Sequence, residues 1–434
     1  MRELGVSDKY FYYTAAGKGS TMDIRLPITF KAPVNHEALI LATSEALRLY
    51  PEFSARPVLH EGRLFYEDNH EDVALLPLSS RYDFGSDDMN GYLFCFQYDA
   101  LKEREVVFSV YHALSDWNGL SRFLKAIICR YAVHVKGLRD DYFGDVIRSH
   151  EPSRDEWETQ SNLNPYEVYG DERAIPSYKP EITGEIFTVS EEYYGVNFPA
   201  SRHIRITLST SEFIKAAKSN NTSFVPLMLY VSSSSMRDAY NTDKTILSMF
   251  PVDLRKVFNN DCIVNFSDAT FLPSTIEQHN MPIEEQCKRF REMLTLSRKP
   301  ENYAKFLYDK VETVKGFEAF PGGIIAKSRE NSLRTGGRLT RVTQGVTYPG
   351  IMDMPEGADD LIEDIVMESP FGVPLMLVTT YHDTMSITSI QRYEGNCLEK
   401  AICRKLSSLG LETEIAYNGL VEQNVMNLER LRSV

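Results

Sequence analysis

The sequence contains no long hydrophobic run. No stretch of its 434 residues approaches the roughly 20 consecutive apolar residues that a transmembrane helix requires. The first residues, Met1 to Gly5, also lack the apolar segment of a secretory signal peptide. From these two absences we expect a protein without a membrane span and with a cytoplasmic location.

Cysteine is scarce, and its spacing gives no sign of metal or disulfide chemistry. None of the six cysteines forms a C-x-x-C pair, so the sequence has neither a zinc knuckle nor a compact disulfide framework. The histidines show no H-x-x-x-H or H-x-H spacing, and we expect no metal site. This cysteine pattern is typical of a reduced, cytoplasmic protein. The cysteines are Cys95, Cys129, Cys262, Cys287, Cys397 and Cys403.

Positive charge is in deficit, because the formal net charge at pH 7 is −14. General binding of nucleic acid needs a cationic surface that displaces counterions, so we expect no nucleic-acid partner. Docking on an anionic membrane is disfavoured for the same reason. An anionic small ligand stays compatible with the sequence, since a local basic patch can act inside an acidic protein.

Several motifs of nucleotide binding and covalent catalysis are also missing. The sequence has no G-x-G-x-x-G stretch and no P-loop for a nucleotide. It has no G-x-S-x-G nucleophile elbow and no reactive-cysteine motif. A mechanism through a covalent enzyme intermediate is therefore not indicated.

What is present is the composition of a globular α/β protein, with 43% hydrophobic and 25% charged residues. A chain of 434 residues is too long for one ordinary core, so two lobes are expected. Strand-like and helix-like segments alternate, which predicts mixed sheets flanked by helices. Residues 136–200 are rich in Pro, Asp, Glu and Tyr and read as a long connection. We place the first lobe at residues 1–175 and the second at residues 176–434.

The early elements of the predicted first lobe have clear local signals. Residues 22–30 read as a strand, and Asn35 is the expected N-cap of a helix that ends at Pro51. Residues 91–98 and 105–112 read as two adjacent strands. Apolar residues then repeat at helical spacing from Leu120 to Tyr131, which predicts a strong amphipathic helix.

The segment that carries chemistry lies between the second of those strands and that helix. An apolar strand ends at His112, a tight turn follows, and Asp116 lies four residues further on. A histidine at a strand end is held rigidly, and its imidazole titrates near neutrality, so it can act as a general base. Taken alone, a single histidine at a strand end is more often structural than catalytic. Asp116 either fixes the loop or serves as a helix-start carboxylate.

The stretch resembles the H-H-x-x-x-D-G signature of the chloramphenicol acetyltransferase-like superfamily. That superfamily includes condensation domains, alcohol O-acetyltransferases and other HxxxD acyltransferases. The second histidine of the signature falls on His112, the aspartate on Asp116, and a following glycine on Gly119. Tyr111 stands where the signature has its first histidine. Trp117 replaces the glycine after the aspartate, and we expect the indole to reshape the turn or to narrow the channel behind His112.

Other segments extend the resemblance over nearly the whole chain. Residues 250–256 resemble a P-V-D-L-R segment of alcohol acetyltransferase-like members, and Asn265-Phe266 follows at a suitable distance. Residues 344–349 resemble the N-x-G-x-x-x-P stretch, with Gln344 in place of asparagine. Residues 378–393 match the usual C-terminal hairpin.

The resemblance implies two lobes with a channel between them and a direct acyl transfer. An acyl thioester of coenzyme A or phosphopantetheine would be the co-substrate, with no permanently bound cofactor. His112 would deprotonate an alcohol or amine acceptor, and Asp116 would support the geometry. The implied partners are this small-molecule acceptor, the acyl thioester and, in a condensation-type reaction, an acyl carrier protein.

Further residues are candidates for substrate binding. Tyr111, Trp117 and Gly119 flank the motif. Thr379 and Thr380 are candidate donors to the tetrahedral oxyanion, because the family places hydroxyl residues on this strand, and β-propensity also explains both threonines. Arg255 is either the partner of a buried carboxylate, such as Asp253 or Asp116, or a surface arginine.

A stretch of basic residues is the last feature of the sequence that suggests a function. It would either meet the phosphates of coenzyme A or phosphopantetheine, or form a solvated loop. Its members are Lys327, Arg329, Arg334, Arg338 and Arg341.

Two alternatives to a free-standing acyltransferase remain open. One is a catalytically inactive module that keeps the two-lobed fold for binding or docking, which the departure at Trp117 favours. The other is a free-standing condensation-type domain that acts on carrier-protein substrates.

Overall fold

The computed structural model describes residues 1–15, 22–144, 147, 164–189, 195–196, 200–335, 342–369, 374–393 and 395–433. No helix in these ranges is long and apolar enough to cross a lipid bilayer. The helices are α1 (Val6–Ala15), α2 (His36–Leu49), α3 (Trp117–Lys136), α4 (Pro165–Tyr169), α5 (Thr210–Ser219), α6 (Phe224–Tyr240), α7 (Leu254–Phe258), α8 (Ile276–His279), α9 (Ile283–Ser297), α10 (Pro300–Glu318), α11 (Ile324–Thr335) and α12 (Cys397–Ser408).

Seventeen strands form three sheets within the described residues. The strands are β1 (Arg2–Glu3), β2 (Asp23–Phe30), β3 (Ala55–His60), β4 (Arg63–Asp68), β5 (Leu75–Pro77), β6 (Phe94–Tyr98), β7 (Glu105–Tyr111), β8 (Ser201–Ser209), β9 (Ile246–Asp253), β10 (Ser267–Ser274), β11 (Gln344–Thr347), β12 (Ile351–Met352), β13 (Ile362–Ile365), β14 (Leu375–Tyr381), β15 (Thr384–Gln391), β16 (Glu414–Val421) and β17 (Arg432–Ser433). The expected mixed α/β architecture is confirmed.

The first lobe is built on a five-stranded sheet of order β13-β2-β7-β6-β5. The predicted neighbours β6 and β7 pair antiparallel, and β7 also pairs antiparallel with β2. Helices α2 and α3 pack against each other beside this sheet. The Asn35 side chain accepts a hydrogen bond from Ala38 N, so the predicted N-cap of α2 is confirmed. A smaller sheet of order β1-β4-β3-β17 completes this lobe.

The second lobe is built on an eight-stranded sheet whose main path is β10-β9-β11-β14-β15-β8-β16, with β12 paired to β14. Side chains of β14 alternate between two hydrophobic cores. Leu377 and Tyr381 belong to the core that contains the first lobe, whereas Met376 and Val378 belong to the core under α6 and α12. One face of the sheet therefore meets the first lobe, and the other is covered by helices.

Two late segments of the chain return to the first lobe. Strand β13 pairs with β2, and β17 pairs with β3. The division of the chain at residues 175 and 176 stays a prediction, and this pairing shows that later residues contribute strands to sheets of the first lobe.

A buried polar network joins the lobes at these crossings. Arg25 and Glu368 exchange two backbone hydrogen bonds of 2.8 Å. Glu368 Oε2 lies 3.2 Å from Nδ1 of His203, which is on β8 of the second lobe. The Asn424 backbone N–H donates to Asp23 Oδ2 on β2 at 3.1 Å. Main-chain and side-chain contacts thus hold the two lobes in one arrangement.

Candidate active site

His112 follows directly after strand β7, so the sheet fixes its backbone. Its N–H donates to the Met22 carbonyl oxygen at 2.7 Å, and the neighbouring Tyr111 N–H donates to Leu93 O at 2.8 Å. The side chain is half-buried. His112 thus has the rigid mounting that a general base requires.

Three groups hold the imidazole ring itself. The Phe11 ring of α1 stacks on it with a centroid distance of 4.8 Å and an interplanar angle of 22°. The Nδ1 atom lies 2.9 Å from Asn265 Nδ2 and 3.2 Å from the Ser115 carbonyl oxygen. The described residues make no hydrogen bond to Nε2, so Nε2 is the ring nitrogen without a partner in this part of the chain.

The two contacts of Nδ1 require different tautomers of a neutral ring. The Ser115 carbonyl oxygen can only accept, so that contact needs a proton on Nδ1 and leaves Nε2 bare. The Asn265 amide N–H can only donate, so that contact needs a bare Nδ1 and a proton on Nε2. The competition between these contacts decides whether Nε2 accepts or donates a proton.

Burial lowers the pKa of His112 below its ordinary value because desolvation disfavours the charged ring. The Lys310 charge acts in the same direction, whereas hydrogen bonds to backbone oxygens and the Asp116 carboxylate act against it. The imidazole is therefore neutral near pH 7, which is the state that can take a proton from an acceptor.

Asp116 supports the loop and does not hydrogen-bond to the His112 ring within the described part of the chain. It is the N-cap of α3, and its Oδ1 accepts hydrogen bonds from the backbone N–H groups of Asn118 and Gly119 at 3.1 and 3.4 Å. Its Oδ2 accepts from the Phe266 backbone N–H at 2.8 Å. One carboxylate thus ties the helix start to the segment that carries Asn265.

Arg255 is the buried partner of Asp116, which is one of the two alternatives predicted from the sequence. Its side chain lies 2.8 Å from Asp116 Oδ2 and 3.3 Å from Asp253 Oδ1. It also donates to the carbonyl oxygens of Cys262 and Val264, each at 2.6 Å. Although burial opposes the charge, the neighbouring Asp116 helps to raise the pKa of Arg255 above its ordinary value. These bonds shape residues 262–265, and a substrate contact of Arg255 stays a prediction.

Trp117 occupies its position without the backbone conformation that favours glycine, and the predicted narrowing of the channel by its indole stays a prediction. Trp117 is the first residue of α3 and does not have a positive φ, so no glycine is needed there. The requirement falls on Gly119, where a Cβ would lie 2.1 Å from the Ile263 carbonyl oxygen and 2.2 Å from Ser115 Oγ. Trp117 is half-buried against the core of the first lobe. Gly119 lets α3 approach residues 262–265 closely.

Tyr111 lies in the core of the first lobe and is 0% exposed. Its hydroxyl donates to the Phe11 carbonyl oxygen at 3.1 Å, and its ring packs beside those of Tyr12 and Phe84. These contacts give Tyr111 a packing role, and its predicted contact with substrate stays untested.

Thr379 and Thr380 point to opposite faces of β14. Thr379 shares the lobe-facing side with Leu377, and its buried hydroxyl has no hydrogen-bond partner among the described residues. Thr380 shares the other side with Val378, and its Oγ1 lies 3.5 Å from the Tyr348 hydroxyl. Of the two predicted oxyanion donors, only Thr379 faces the first lobe.

Sequence reasoning did not single out a charged aromatic cluster near the site. The Lys310 ammonium lies 3.6 Å from Asp268 Oδ2 and over the rings of Tyr10 and Tyr166, at 4.4 and 5.1 Å from their centroids. Burial opposes its charge, but Tyr166 and Asp268 raise the pKa of Lys310 above its ordinary value. Lys310 therefore stays charged, and its field disfavours a protonated His112.

The basic stretch is only partly described. Lys327 donates to the Glu318 carbonyl oxygen at 2.7 Å, and Arg329 lies 3.8 Å from Glu429. Arg338 and Arg341 lie outside the described residues, as does the side chain of Arg334. In the described ranges, no group of three or more His, Cys, Asp or Glu side chains is placed to hold a metal ion.

The comparisons with known proteins give the fold. No protein-family model and no curated protein sequence matches the chain. Polyketide synthase associated protein 5 from Mycobacterium tuberculosis has a similar structure, with a TM-score of 0.59, 16% identity and coverage of 94% of this chain and 97% of that chain. F. sporotrichioides TRI101, solved with coenzyme A and T-2, matches with a TM-score of 0.56, 11% identity and coverage of 97% and 100%. The first condensation domain of the CDA synthetase matches with a TM-score of 0.55, 12% identity and coverage of 94% and 95%.

Proposed function

We propose that this chain, which has the two-lobed fold of the chloramphenicol acetyltransferase-like superfamily, transfers an acyl group from a thioester to an alcohol or amine. The observation that carries the proposal is the mounting of His112. Phe11, Asn265 and the Ser115 carbonyl oxygen hold the ring, and Nε2 is left open. A ring that is held in place while Nε2 has no partner among the described residues supports an acid–base role.

The chemical step needs no covalent enzyme intermediate. With the proton on Nδ1 directed at the Ser115 carbonyl oxygen, Nε2 removes the proton from the acceptor hydroxyl or amine. The acceptor oxygen or nitrogen forms a bond to the thioester carbonyl carbon, and a tetrahedral oxyanion results. When the carbon–sulfur bond breaks, the thiolate takes the proton back from His112. The products are an ester or amide and a free thiol.

The oxyanion requires a donor that is in place before the reaction. Thr379 supports this assignment because its hydroxyl is buried, has no hydrogen-bond partner among the described residues, and lies on the sheet face that meets the first lobe. The hydroxyl can donate one hydrogen bond to the developing charge. The acyl donor would reach it through a channel between the lobes.

The fold likeness supports a choice of donor class. TRI101 was solved with coenzyme A, and a condensation domain is another neighbour of the same fold. We assign coenzyme A or phosphopantetheine thioesters as the donor class, with a small-molecule alcohol or amine as the acceptor. A carrier protein would present the donor if the reaction is of the condensation type.

The test is release of free thiol from acetyl- and longer acyl-coenzyme A in the presence of a panel of alcohols and amines. His112→Ala should lower kcat/KM by roughly 10²- to 10⁴-fold, the usual contribution of a general base. His70→Ala, at an exposed position, is the matched control and should keep full activity. Unchanged turnover in His112→Ala would contradict the proposed role, and no turnover of any donor would favour a binding module.

A further inference from the structure

A groove of about 300 Å³ opens on the second lobe at the start of α12. This cationic groove is lined by Ala239, Gly395, Asn396, Cys397, Lys400 and Arg404. Its volume is at the lower end of the range of small-molecule sites. Its described lining contains two cations and no carboxylate, in a chain whose net charge is −14.

The groove is separate from the candidate active site. Leu398, Ile402 and Leu406 of α12 pack into the core that also contains Met376 and Val378. That core lies on the sheet face opposite the lobe junction. Because Lys400 and Arg404 are exposed, the groove is reached from outside the second lobe.

The geometry of α12 brings the two cations together. Positions 400 and 404 are one turn apart on a helix, so their side chains leave from the same face. Cys397 precedes Lys400 by three residues and extends this stripe, which lies opposite the buried positions 398, 402 and 406. All three stripe residues are exposed and line the groove.

Two described carboxylates near the groove, those of Asp238 and Glu399, are engaged elsewhere. Asp238, beside the lining residue Ala239, pairs with Lys405 at 3.0 Å. Glu399 is 0% exposed, and its Oε1 accepts hydrogen bonds from Ser389 and Gln391 at 2.5 and 3.0 Å. In the described part of the chain, no ion pair joins Lys400 or Arg404 to a carboxylate. Among the described residues, the local charge of the groove is therefore not compensated by an ion pair.

We propose that the cationic groove binds a phosphate group, either as the free ion or as the monoester of a small molecule. The planar guanidinium of Arg404 offers two parallel N–H donors that match two phosphate oxygens, and Lys400 adds a compact point charge. The side chain of Asn396 does not cap α12, so the positive end of the helix dipole adds to the same field. A carboxylate ligand would use fewer of these donors than a tetrahedral phosphate.

Cys397 gives a readout that does not depend on acyl transfer. It is the exposed cysteine of the groove, whereas the other described cysteines are buried or, for Cys403, half-buried. In a Cys403→Ser background, the rate of alkylation by iodoacetamide should fall saturably as inorganic phosphate replaces chloride at constant ionic strength. The same titration with phenyl phosphate distinguishes a monoester site from a site for the free ion.

The Lys400→Ala/Arg404→Ala variant should raise the half-saturating phosphate concentration roughly tenfold or more, because one charge-assisted hydrogen bond typically contributes that much. The matched control is Lys288→Ala/Arg289→Ala, which removes the same charge from α9, where both side chains pair with Glu285. It should leave the titration unchanged. An alkylation rate that ignores both phosphate compounds, or equal half-saturation in the two variants, would overturn the proposal.

Discussion

Asn265 Nδ2 lies 2.9 Å from His112 Nδ1 and donates to the His112 carbonyl oxygen at 3.0 Å. Because that carbonyl oxygen can only accept, it fixes which end of the amide faces the histidine, and the Asn265 amide oxygen accepts from Ser267 Oγ at 3.2 Å. Asn265 thus contacts both the ring and the backbone of His112, the candidate base. In this position it favours the tautomer with the proton on Nε2.

Replacing Asn265 should change the acid–base behaviour of His112. In Asn265→Asp a carboxylate would accept a hydrogen bond from Nδ1, stabilise the protonated ring and raise the pKa of His112. The acid limb of the pH profile of kcat/KM should then move to higher pH, because the ring must be neutral to act as a base. Nitrogen NMR of the imidazole should show more proton on Nδ1.

Asn265→Ala is the control for lost packing. It removes both hydrogen bonds to His112 without adding charge. The looser ring should lower kcat/KM, whereas loss of the contact that keeps Nδ1 bare favours the tautomer that acts as a base, so the net fall should stay below about tenfold. Its acid limb should move less than that of Asn265→Asp. Identical pH profiles in both variants would contradict the role assigned to Asn265.

The ion pair of Asp116 and Arg255 should be a major contributor to stability. Asp116→Ala leaves a buried guanidinium without its main partner and also removes the cap of α3, so the free energy of unfolding should fall by about 3–5 kcal/mol. Urea denaturation measures this change. The exposed ion pair of Arg122 and Asp261 offers a control, and Asp261→Ala should cost about 0–1 kcal/mol. A similar loss of unfolding free energy in both variants would contradict the expectation that breaking the buried ion pair costs more than breaking the exposed one.

Gly119 should not tolerate a methyl group. In Gly119→Ala the new Cβ meets the Ile263 carbonyl oxygen at 2.1 Å, so α3 must move away from residues 262–265. Overpacking of this kind costs about 1–3 kcal/mol, and the shift also loosens the Asp116 contacts that hold the Asn265 segment.

The control for that substitution lies in a helix interior. Gly316 in α10 has nothing within 4 Å of its ideal Cβ. Gly316→Ala should therefore stabilise the protein by up to about 1 kcal/mol through helix propensity alone. Thermal unfolding of both variants decides between steric conflict at Gly119 and a general effect of replacing glycine.

The parts of the site that are local in sequence could be predicted. His112 and Asp116 lie in one turn between an apolar strand and an amphipathic helix, and both flanking elements have strong periodic signals. Asn35 was identified as a cap because capping depends on a few neighbouring residues. The two-lobed fold was recognised because the resemblance draws on segments along most of the chain.

The parts that depend on long-range packing could not be predicted. Phe11 stacks on His112 from about 100 residues away in sequence, and nothing in α1 marks this contact. The steric demand at Gly119 comes from Ile263, a residue that only the fold brings near. Likewise, the return of β13 to the first sheet has no local signal, since a short strand reads the same in either lobe.

The buried network at the lobe junction should make stability depend on pH. Burial raises the pKa of Asp23 to about 6, although Arg25 and the hydrogen bond from Ser109 oppose that rise. The unfolded chain has a value of about 3.9, so between these two pH values the folded protein binds more protons than the unfolded one. Stability should therefore fall as pH rises from about 4 to 6, by about 3 kcal/mol in total for a shift of two units.

Asp23→Asn tests this assignment because it keeps the shape of the side chain and removes the charge. The variant should lose the downward slope of unfolding free energy between about pH 4 and 6, and it should equal or exceed the parent protein in stability at pH 7. Asp268→Asn is a useful comparison, because burial also raises the pKa of Asp268. Asp268, however, is the ion-pair partner of the buried Lys310. Removing that carboxylate leaves Lys310 buried without its counter-charge, so this variant should be less stable at pH 7. If Asp23→Asn keeps the slope of the parent protein, the proton does not reside on Asp23 and this assignment is wrong.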